Sequence, residues 1–372
     1  MDQELELIAN RLAQAHTPEE VFGEIQAGHG DMLPILKRHY RAMVKIAHPD
    51  VYHTKQDQLL AQAAFNLLTD WFDQAKQKIE SGRYGMRSAS SKTVLQTRKR
   101  EYSIEGAYLQ DGIFNLYPCS FSEHGRIQRA VLKIVRDPWD NDLVENELRA
   151  LEALARGKDA KKFSSYIPDL IDAFLYEDAG VHRQAVVFRS YENWFSLEDV
   201  HKAYPGGIDP KDMAWMWRRL LVVLGFSHIS NVLHGAVLPR NIWILPEEHG
   251  LMLVNWSHAL VDPATTGEVL KTVIPEYADW YPQEALNKEI PSFGTDIQMS
   301  AKCMLWLLGG DPREKNVPNS VPAPIKAFLK GCILPGKRAP QKAWTLLEEF
   351  DELIGKLWGK RKFHPFRMKV YP

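Results

Sequence analysis

Leu36-Lys37-Arg38-His39-Tyr40-Arg41-Ala42-Met43-Val44-Lys45-Ile46-Ala47-His48-Pro49-Asp50 reads as a helix that runs into a proline. Leu33, Leu36, Tyr40, Met43, Val44 and Ala47 recur at intervals of three and four, which puts them on one helical face. Lys37, Arg41 and Lys45 share a second face at i, i+4 spacing, with Arg38 beside it. Pro49 lacks a backbone N–H and fixes the loop backbone, so the helix ends before it. After a short polar loop a second apolar-periodic stretch runs from about Gln58 to Ile79. It uses Leu59, Leu60, Ala63, Ala64, Leu67, Leu68, Trp71 and Phe72. Two such faces packed antiparallel make a helical hairpin. Upstream, Thr17-Pro18-Glu19-Glu20 has the N-cap, first-position proline and acidic first turn of another helix start.

A basic helix, His48-Pro49-Asp50 and a second helix together resemble a J-domain, the module by which DnaJ-type cochaperones engage DnaK-type chaperones. The resemblance covers residues 1–82. It implies that Lys37, Arg38, Arg41 and Lys45 dock on an acidic patch of the chaperone. His48, Pro49 and Asp50 would then be contact residues that trigger ATP hydrolysis in the partner and perform no chemistry themselves.

Composition sets the outer bounds. A chain of 372 residues has room for two or three domains. With 46 Lys and Arg against 47 Asp and Glu, the net charge of −1 argues against a global pull toward nucleic acid or membrane. Cys119, Cys303 and Cys332 are far apart and odd in number, which fits neither a disulfide framework nor a zinc pair and suggests a reducing cytoplasm. The acidic start Met1-Asp2-Gln3-Glu4 is wrong for a secretory signal, and runs such as Leu220–Phe226 are too short to span a bilayer. The histidines show no metal spacing with Cys, Asp or Glu, and no metal site is expected.

Residues 83–100 turn small, polar and basic, the composition of a linker. Beyond them, Tyr102–Leu109, Ile113–Phe121, Arg129–Val135, Ala185–Arg189, Ile242–Leu245 and Leu251–Val254 read as strands, with a helix at Leu143–Leu154. Long amphipathic helices dominate from Lys211 on. Strands followed by helices predict an α+β domain with a sheet lobe over 101–192 and a helical lobe over 193–355, then a basic tail over 356–372. Trp215, Trp217, Trp256, Trp280 and Trp306 are expected in the helical core.

Several short motifs in this region, taken in order, resemble a protein kinase, so the whole chain reads as multidomain: an all-α J-domain hairpin followed by a bilobal α+β kinase-like fold. Ala130-Val131-Leu132-Lys133-Ile134 resembles the strand whose lysine contacts the ATP phosphates. Asn146-Glu147-Leu148-Arg149 resembles the helix that carries the partner glutamate, either Glu147 or Glu145. His234-Gly235-Ala236-Val237-Leu238-Pro239-Arg240-Asn241 follows the pattern H-R-D-L-K-P-x-N and keeps its histidine, proline and asparagine. Asn255-Trp256-Ser257 stands where D-F-G is expected, Tyr281-Pro282-Gln283-Glu284 resembles A-P-E, and Gly294-Thr295-Asp296-Ile297 opens an apolar helix.

The departures bear on activity. Ala236 has no atom to accept a substrate proton, and Asn255 offers one neutral oxygen where an anionic magnesium ligand is expected. Leu109-Gln110-Asp111-Gly112-Ile113-Phe114-Asn115 supplies one well-placed glycine, with Gly106 further back, for a loop that should cradle phosphates. Losing base and metal ligand together removes several kcal/mol of transition-state stabilisation, at about 1.4 kcal/mol per tenfold in rate. The resemblance therefore implies a pseudokinase with no catalytic residues. Gly112, Lys133, Glu147, Asn241 and Asn255 are its candidate nucleotide-binding residues, and ATP the candidate ligand, bound weakly with little or no magnesium. The expected role is a cochaperone and adaptor whose kinase-like part binds a client or regulator. The alternative is an active atypical serine/threonine kinase that recruits Asp296, Asp262 or Glu284 as base.

Overall fold

The computed structural model describes residues 3–15, 17–23, 25, 32–52, 54–80, 84, 93–105, 108–178, 181–314, 316–335, 338–360, 362–363 and 365–368. Half of the expected linker (83 and 85–92), Gly106, Arg361 and His364 lie outside them. The chain forms two compact units, Met1–Lys92 and Thr93–Pro372.

The first unit is helical: α1 (Gln3–Gln14), α2 (Pro18–Phe22), α3 (Met32–Ala47), a 3-10 turn (Pro49–Val51) and α4 (Lys55–Glu80). Thr17 caps α2 by accepting the Glu20 N–H, and Thr54 caps α4 by accepting the Asp57 N–H at 3.1 Å. That cap starts α4 before Gln58. Leu5, Leu12, Phe22, Leu36, Ala61, Ala64 and Leu68 form the core. The Trp71 indole donates to the Leu12 carbonyl at 3.1 Å, and Lys78 pairs with Glu19 at 2.8 Å, fixing α4 against α1 and α2. Of the apolar residues read along α4, Leu59, Ala63 and Leu67 are exposed. The stripe through Ala61, Ala64, Leu68 and Ala75 is buried against the neighbouring helices, with Leu60, Trp71 and Phe72 packed beside it.

The second unit opens with a seven-stranded antiparallel sheet in the order β1-β2-β4-β5-β7-β6, with β3 also paired to β4. These strands are β1 (Thr93–Gln96), β2 (Glu101–Ile104), β3 (Leu109–Asp111), β4 (Phe114–Glu123), β5 (Arg126–Val135), β6 (Leu170–Asp178) and β7 (Val181–Arg189). Helices α5 (Asn141–Arg156) and α6 (Ala160–Phe163) lie between β5 and β6 in sequence. Two expectations need correction. Residues 93–100 are not linker: Thr93-Val94-Leu95-Gln96 pairs with β2, and Thr97 closes the turn by accepting the Arg100 N–H at 3.0 Å. Strand β6 went unread because Asp172 interrupts its apolar pattern. There the strand bulges, and the buried carboxylate accepts from Thr97 (2.9 Å) and Tyr102 (3.3 Å) and pairs with Lys99 (3.3 Å).

The helical lobe contains β8 (Phe195–Ser196), α7 (Leu197–Ala203), α8 (Pro210–Ile229), β9 (Val232–Leu233), β10 (Ile242–Leu245), β11 (Gly250–Leu253), β12 (Leu260–Val261), α9 (Pro263–Thr266), α10 (Gln283–Leu286), α11 (Gly294–Leu307), α12 (Ala323–Cys332) and α13 (Ala343–Trp358). Helices α8 and α11 are buried nearly all round. Trp217 is fully enclosed, and its indole donates to Ser300 Oγ at 3.1 Å. Trp215 and Trp256 are buried too, while Trp280 and Trp306 pack half-buried on the core rim. The basic tail is shorter than read, since 356–358 finish α13. Beyond Gly359 the chain is anchored by its aromatic residues, with Phe366 buried against Tyr204 and Trp215. Among the described residues no helix is long and apolar enough to cross a membrane.

All three thiols are buried and free. Burial pushes Cys119 up to about 11 and Cys332 to about 12, and holds Cys303 well above the ordinary thiol range. Iodoacetamide at pH 8 should therefore label none of them in the folded protein and all three once it is unfolded. Mass spectrometry of the folded sample checks this, and rapid labelling of any thiol contradicts the core described above.

Candidate functional site

In the first unit the structure brings together every residue singled out around His48. Lys37, Arg38, Arg41 and Lys45 are all exposed on α3. Pro49 opens the 3-10 turn, and the His48 Nδ1 accepts the Asp50 N–H at 3.3 Å. The His48 ring rests edge-on against Phe65 of α4, with centroids 5.4 Å apart. From beneath, the Tyr52 hydroxyl donates to the Ile46 carbonyl (2.7 Å) and Gln58 to the Tyr52 carbonyl (2.8 Å). A pinned loop thus presents the Asp50 carboxylate, 88% exposed, at the end of a basic helix.

In the second unit the site is built around β5. Lys133 sits in the sheet centre, opposite Leu116 of β4 and Val186 of β7. Its ammonium donates to Glu147 Oε2 at 2.8 Å and to Asn255 Oδ1 at 2.9 Å, and lies 4.0 Å from the Phe114 ring centroid. Both partners of the ion pair are buried. The second oxygen of Glu147 accepts the Trp256 N–H at 2.9 Å. Glu145, the other candidate, is exposed. Lys133 therefore ties a strand, a helix and the segment after β11 to one point.

Asn255 adopts left-handed backbone angles (φ 61°, ψ 68°), which asparagine tolerates better than most residues. Its Oδ1 also accepts from Ser257 (2.8 Å), and its Nδ2 donates to Asn241 Oδ1 (3.2 Å). Asn241 in turn donates to the Ala236 carbonyl at 2.9 Å. Ala236 and Leu238, which stand at the base and lysine positions of the loop pattern, are fully buried. Gly235 has φ +72°, and a Cβ there would stand 2.6 Å from the His258 carbonyl, so only glycine lets the two segments approach.

His234 is structural. Its Nδ1 accepts the Ala236 N–H (3.2 Å), which leaves the proton on Nε2 to donate to the Val254 carbonyl (3.1 Å). Burial pushes its pKa below the ordinary histidine range. Asp296 at the start of α11 braces the loop, accepting the backbone N–H groups of His234 and Gly235 at 2.9 Å and lying 3.0 Å from His228 Nε2. It is buried and fully engaged, so it is no base. Glu284 is held by Thr295 and Gln298, and Asp262 does not line the cleft.

A cleft of about 510 Å3 opens beside these groups, with Gly112, Phe114, Arg240, Asn255 and His258 in its walls. Gly112 occupies a two-residue turn between β3 and β4 at φ +58°. Two cleft residues escaped the sequence reading. Arg240 lies 3.6 Å from Asp111 at that turn and 3.9 Å from Glu198 on α7. His258 is held neutral by burial and then by nearby positive charge, Lys133 included, which push it down to about 4. Its position directly after Asn255-Trp256-Ser257 was the available signal.

A sheet lobe and a helical lobe meeting at a buried lysine–glutamate pair define a bilobal protein-kinase-like fold. The comparisons agree. The solved structure of vaccinia related kinase 3 superposes with a TM-score of 0.54 at 18% identity, covering 73% of this chain and 92% of that one. In sequence, 133 residues are 26% identical to casein kinase II subunit alpha' of Saccharomyces cerevisiae, which is 36% of this chain. The chain spans about a third (34%) of the length of that relative. No family model matches the chain.

Replacing Asp296 by alanine strands two buried N–H donors and His228, at about 1–3 kcal/mol per orphaned group. Denaturant unfolding of Asp296→Ala should show a loss of at least about 3 kcal/mol. A loss near zero would contradict the bracing role.

Proposed function

We propose that this protein is a J-domain cochaperone and adaptor. Residues 1–82 recruit and stimulate a DnaK-type chaperone, and the kinase-like unit holds a client or regulator instead of transferring phosphate. The observation that carries the reading is the pinned His48-Pro49-Asp50 turn at the tip of a helix whose Lys37, Arg38, Arg41 and Lys45 all face solvent. An acidic patch on the chaperone would meet that face, and its attraction would weaken with salt. Three buried free thiols support a reducing, cytoplasmic setting.

The adaptor role of the second unit rests on chemistry that its loop lacks. Phosphoryl transfer needs an acceptor for the substrate proton, and the buried Ala236 supplies none. ATP is the ligand such a fold implies, and the cleft suits it in part. Glu147 holds the Lys133 ammonium ready for a phosphate oxygen, and Gly112 holds the β3–β4 turn at φ +58° with open space beside it. Bound ATP would supply polyanionic charge and lobe-bridging contacts. Magnesium does not suit the neutral amide donors present.

A second reading, an active atypical serine/threonine kinase, rests on His258, an imidazole in the cleft wall, though burial, which pushes it down to about 4, makes it a weak proton acceptor. In that case phosphate transfer would disappear in His258→Ala while nucleotide binding persisted.

The test of the main reading is single-turnover ATPase of a DnaK-type chaperone with the full chain. Wild type should accelerate hydrolysis and His48→Gln should abolish the effect with helical content unchanged. Arg41→Glu should weaken it most at low salt. Undiminished stimulation by His48→Gln would overturn the reading.

A further inference from the structure

The polar chain from Lys133 to Ala236 has only one self-consistent orientation. Lys133 can only donate, so the atom of Asn255 that faces it at 2.9 Å is Oδ1. The Ser257 hydroxyl donates to the same oxygen. The remaining face of that carboxamide is therefore NH2, and the Asn241 atom 3.2 Å from it must be an acceptor. That in turn aims the Asn241 NH2 at the Ala236 carbonyl, which can only accept, at 2.9 Å. A donor at one end and an acceptor at the other thus fix both amides.

This direction is wrong for a dication. Turning Asn255 to free its oxygen would set its NH2 against the Lys133 ammonium, and turning Asn241 would set two carbonyl oxygens face to face. The charge balance is equally unfavourable. Lys133 and Glu147 cancel, and the two asparagines add nothing, so the inner site offers no net negative charge. Magnesium dehydrates reluctantly and is held by carboxylates together with phosphate oxygens. Of the carboxylates further out, Asp142 pairs with Lys271 at 2.5 Å and Asp111 lies 3.6 Å from Arg240, while Asp140 and Glu276 line the outer wall away from the Lys133–Asn255 contact. Among the described residues no group of three or more His, Cys, Asp or Glu side chains could hold a metal ion.

The same arrangement suits an anion met directly. Asn255 and Arg240 line the cleft, the Lys133 ammonium lies directly behind Asn255 at 2.9 Å, and Arg240 Nε, 3.9 Å from Glu198, makes no hydrogen bond. A phosphate oxygen could take over the acceptor role that Asn255 Oδ1 plays for Lys133 while Glu147 stays in place. We propose that this cleft binds the phosphates of a nucleoside triphosphate directly, without a divalent cation, and that Asn255 is the residue that sets this preference. The inference rests on the reading of the cleft as a nucleotide pocket.

Thermal melting of the full chain separates the two. ATP is added in EDTA or in excess magnesium, with wild type, Asn255→Asp and Lys133→Met. The expected result is a wild-type stabilisation in EDTA at least as large as in magnesium, and lost in Lys133→Met. Asn255→Asp, which restores an anionic ligand, should be stabilised more in magnesium than in EDTA. A wild-type shift seen only with magnesium overturns the inference and leaves the nucleotide pocket standing. No shift under either condition overturns both. A shift that survives Lys133→Met places the ligand elsewhere and also overturns both. The wild-type arms decide the matter even should Asn255→Asp not fold.

Discussion

The Lys133–Glu147 contact is the constraint on which the second unit depends. A buried ammonium is tolerated only with a paired carboxylate and further acceptors, and here it has Glu147, Asn255 and the Phe114 ring face. Removing one partner of such a pair costs about 3–5 kcal/mol, because the other charge is left unpaired in a poorly solvated site. The pair therefore aligns α5 with β5. Through the Trp256 N–H it also fixes the segment that carries Asn255 and His258. Everything in the cleft is referenced to that one point.

From it follows an ordered loop. The braces of a phosphoryl-transfer loop are present: Asp296 beneath the loop, His234 in one tautomer, and Asn241 bonded across the turn. Ala236, Leu238 and Asn255 stand at the motif positions of base, lysine and metal ligand, and the first two are packed into the core. A core position filled by an apolar side chain is stabilising in itself. On the proposed reading these positions suit a module that holds shape and binds. The first unit shows the same economy, with a loop stiffened by Tyr52, Gln58 and Phe65 and a helix whose charges are left to solvent.

Much of this was legible in the residues. The periodicity of Leu36, Tyr40 and Val44, the Thr17-Pro18 start, and the order of Lys133, Glu147, His234, Asn241 and Asp296 carry both folds, because each reflects local helix, strand or loop chemistry. What escaped depends on contacts remote in sequence. Asp172 reads as a break until Thr97 and Tyr102 come across the sheet to satisfy it. The strip Leu59–Ala63–Leu67 matches helix periodicity as well as the buried one does, and only the positions of α1 and α3 select between them. The choice of Glu147 over Glu145 turns on the phase of α5, which a boundary read from sequence leaves open. Arg240 lies at a motif position where residue type is unconstrained, and His258 was marked only by its place directly after Asn255-Trp256-Ser257.

The most direct test of a kinase-like unit that binds without transferring is to restore the two missing carboxylates. Radiolabelled γ-phosphate transfer, to the protein itself and to a generic substrate, should be measured for wild type and for the double variant Ala236→Asp with Asn255→Asp. The account predicts no transfer by wild type and measurable, magnesium-dependent transfer by the double variant. Wild-type transfer that is abolished by Lys133→Met would contradict it.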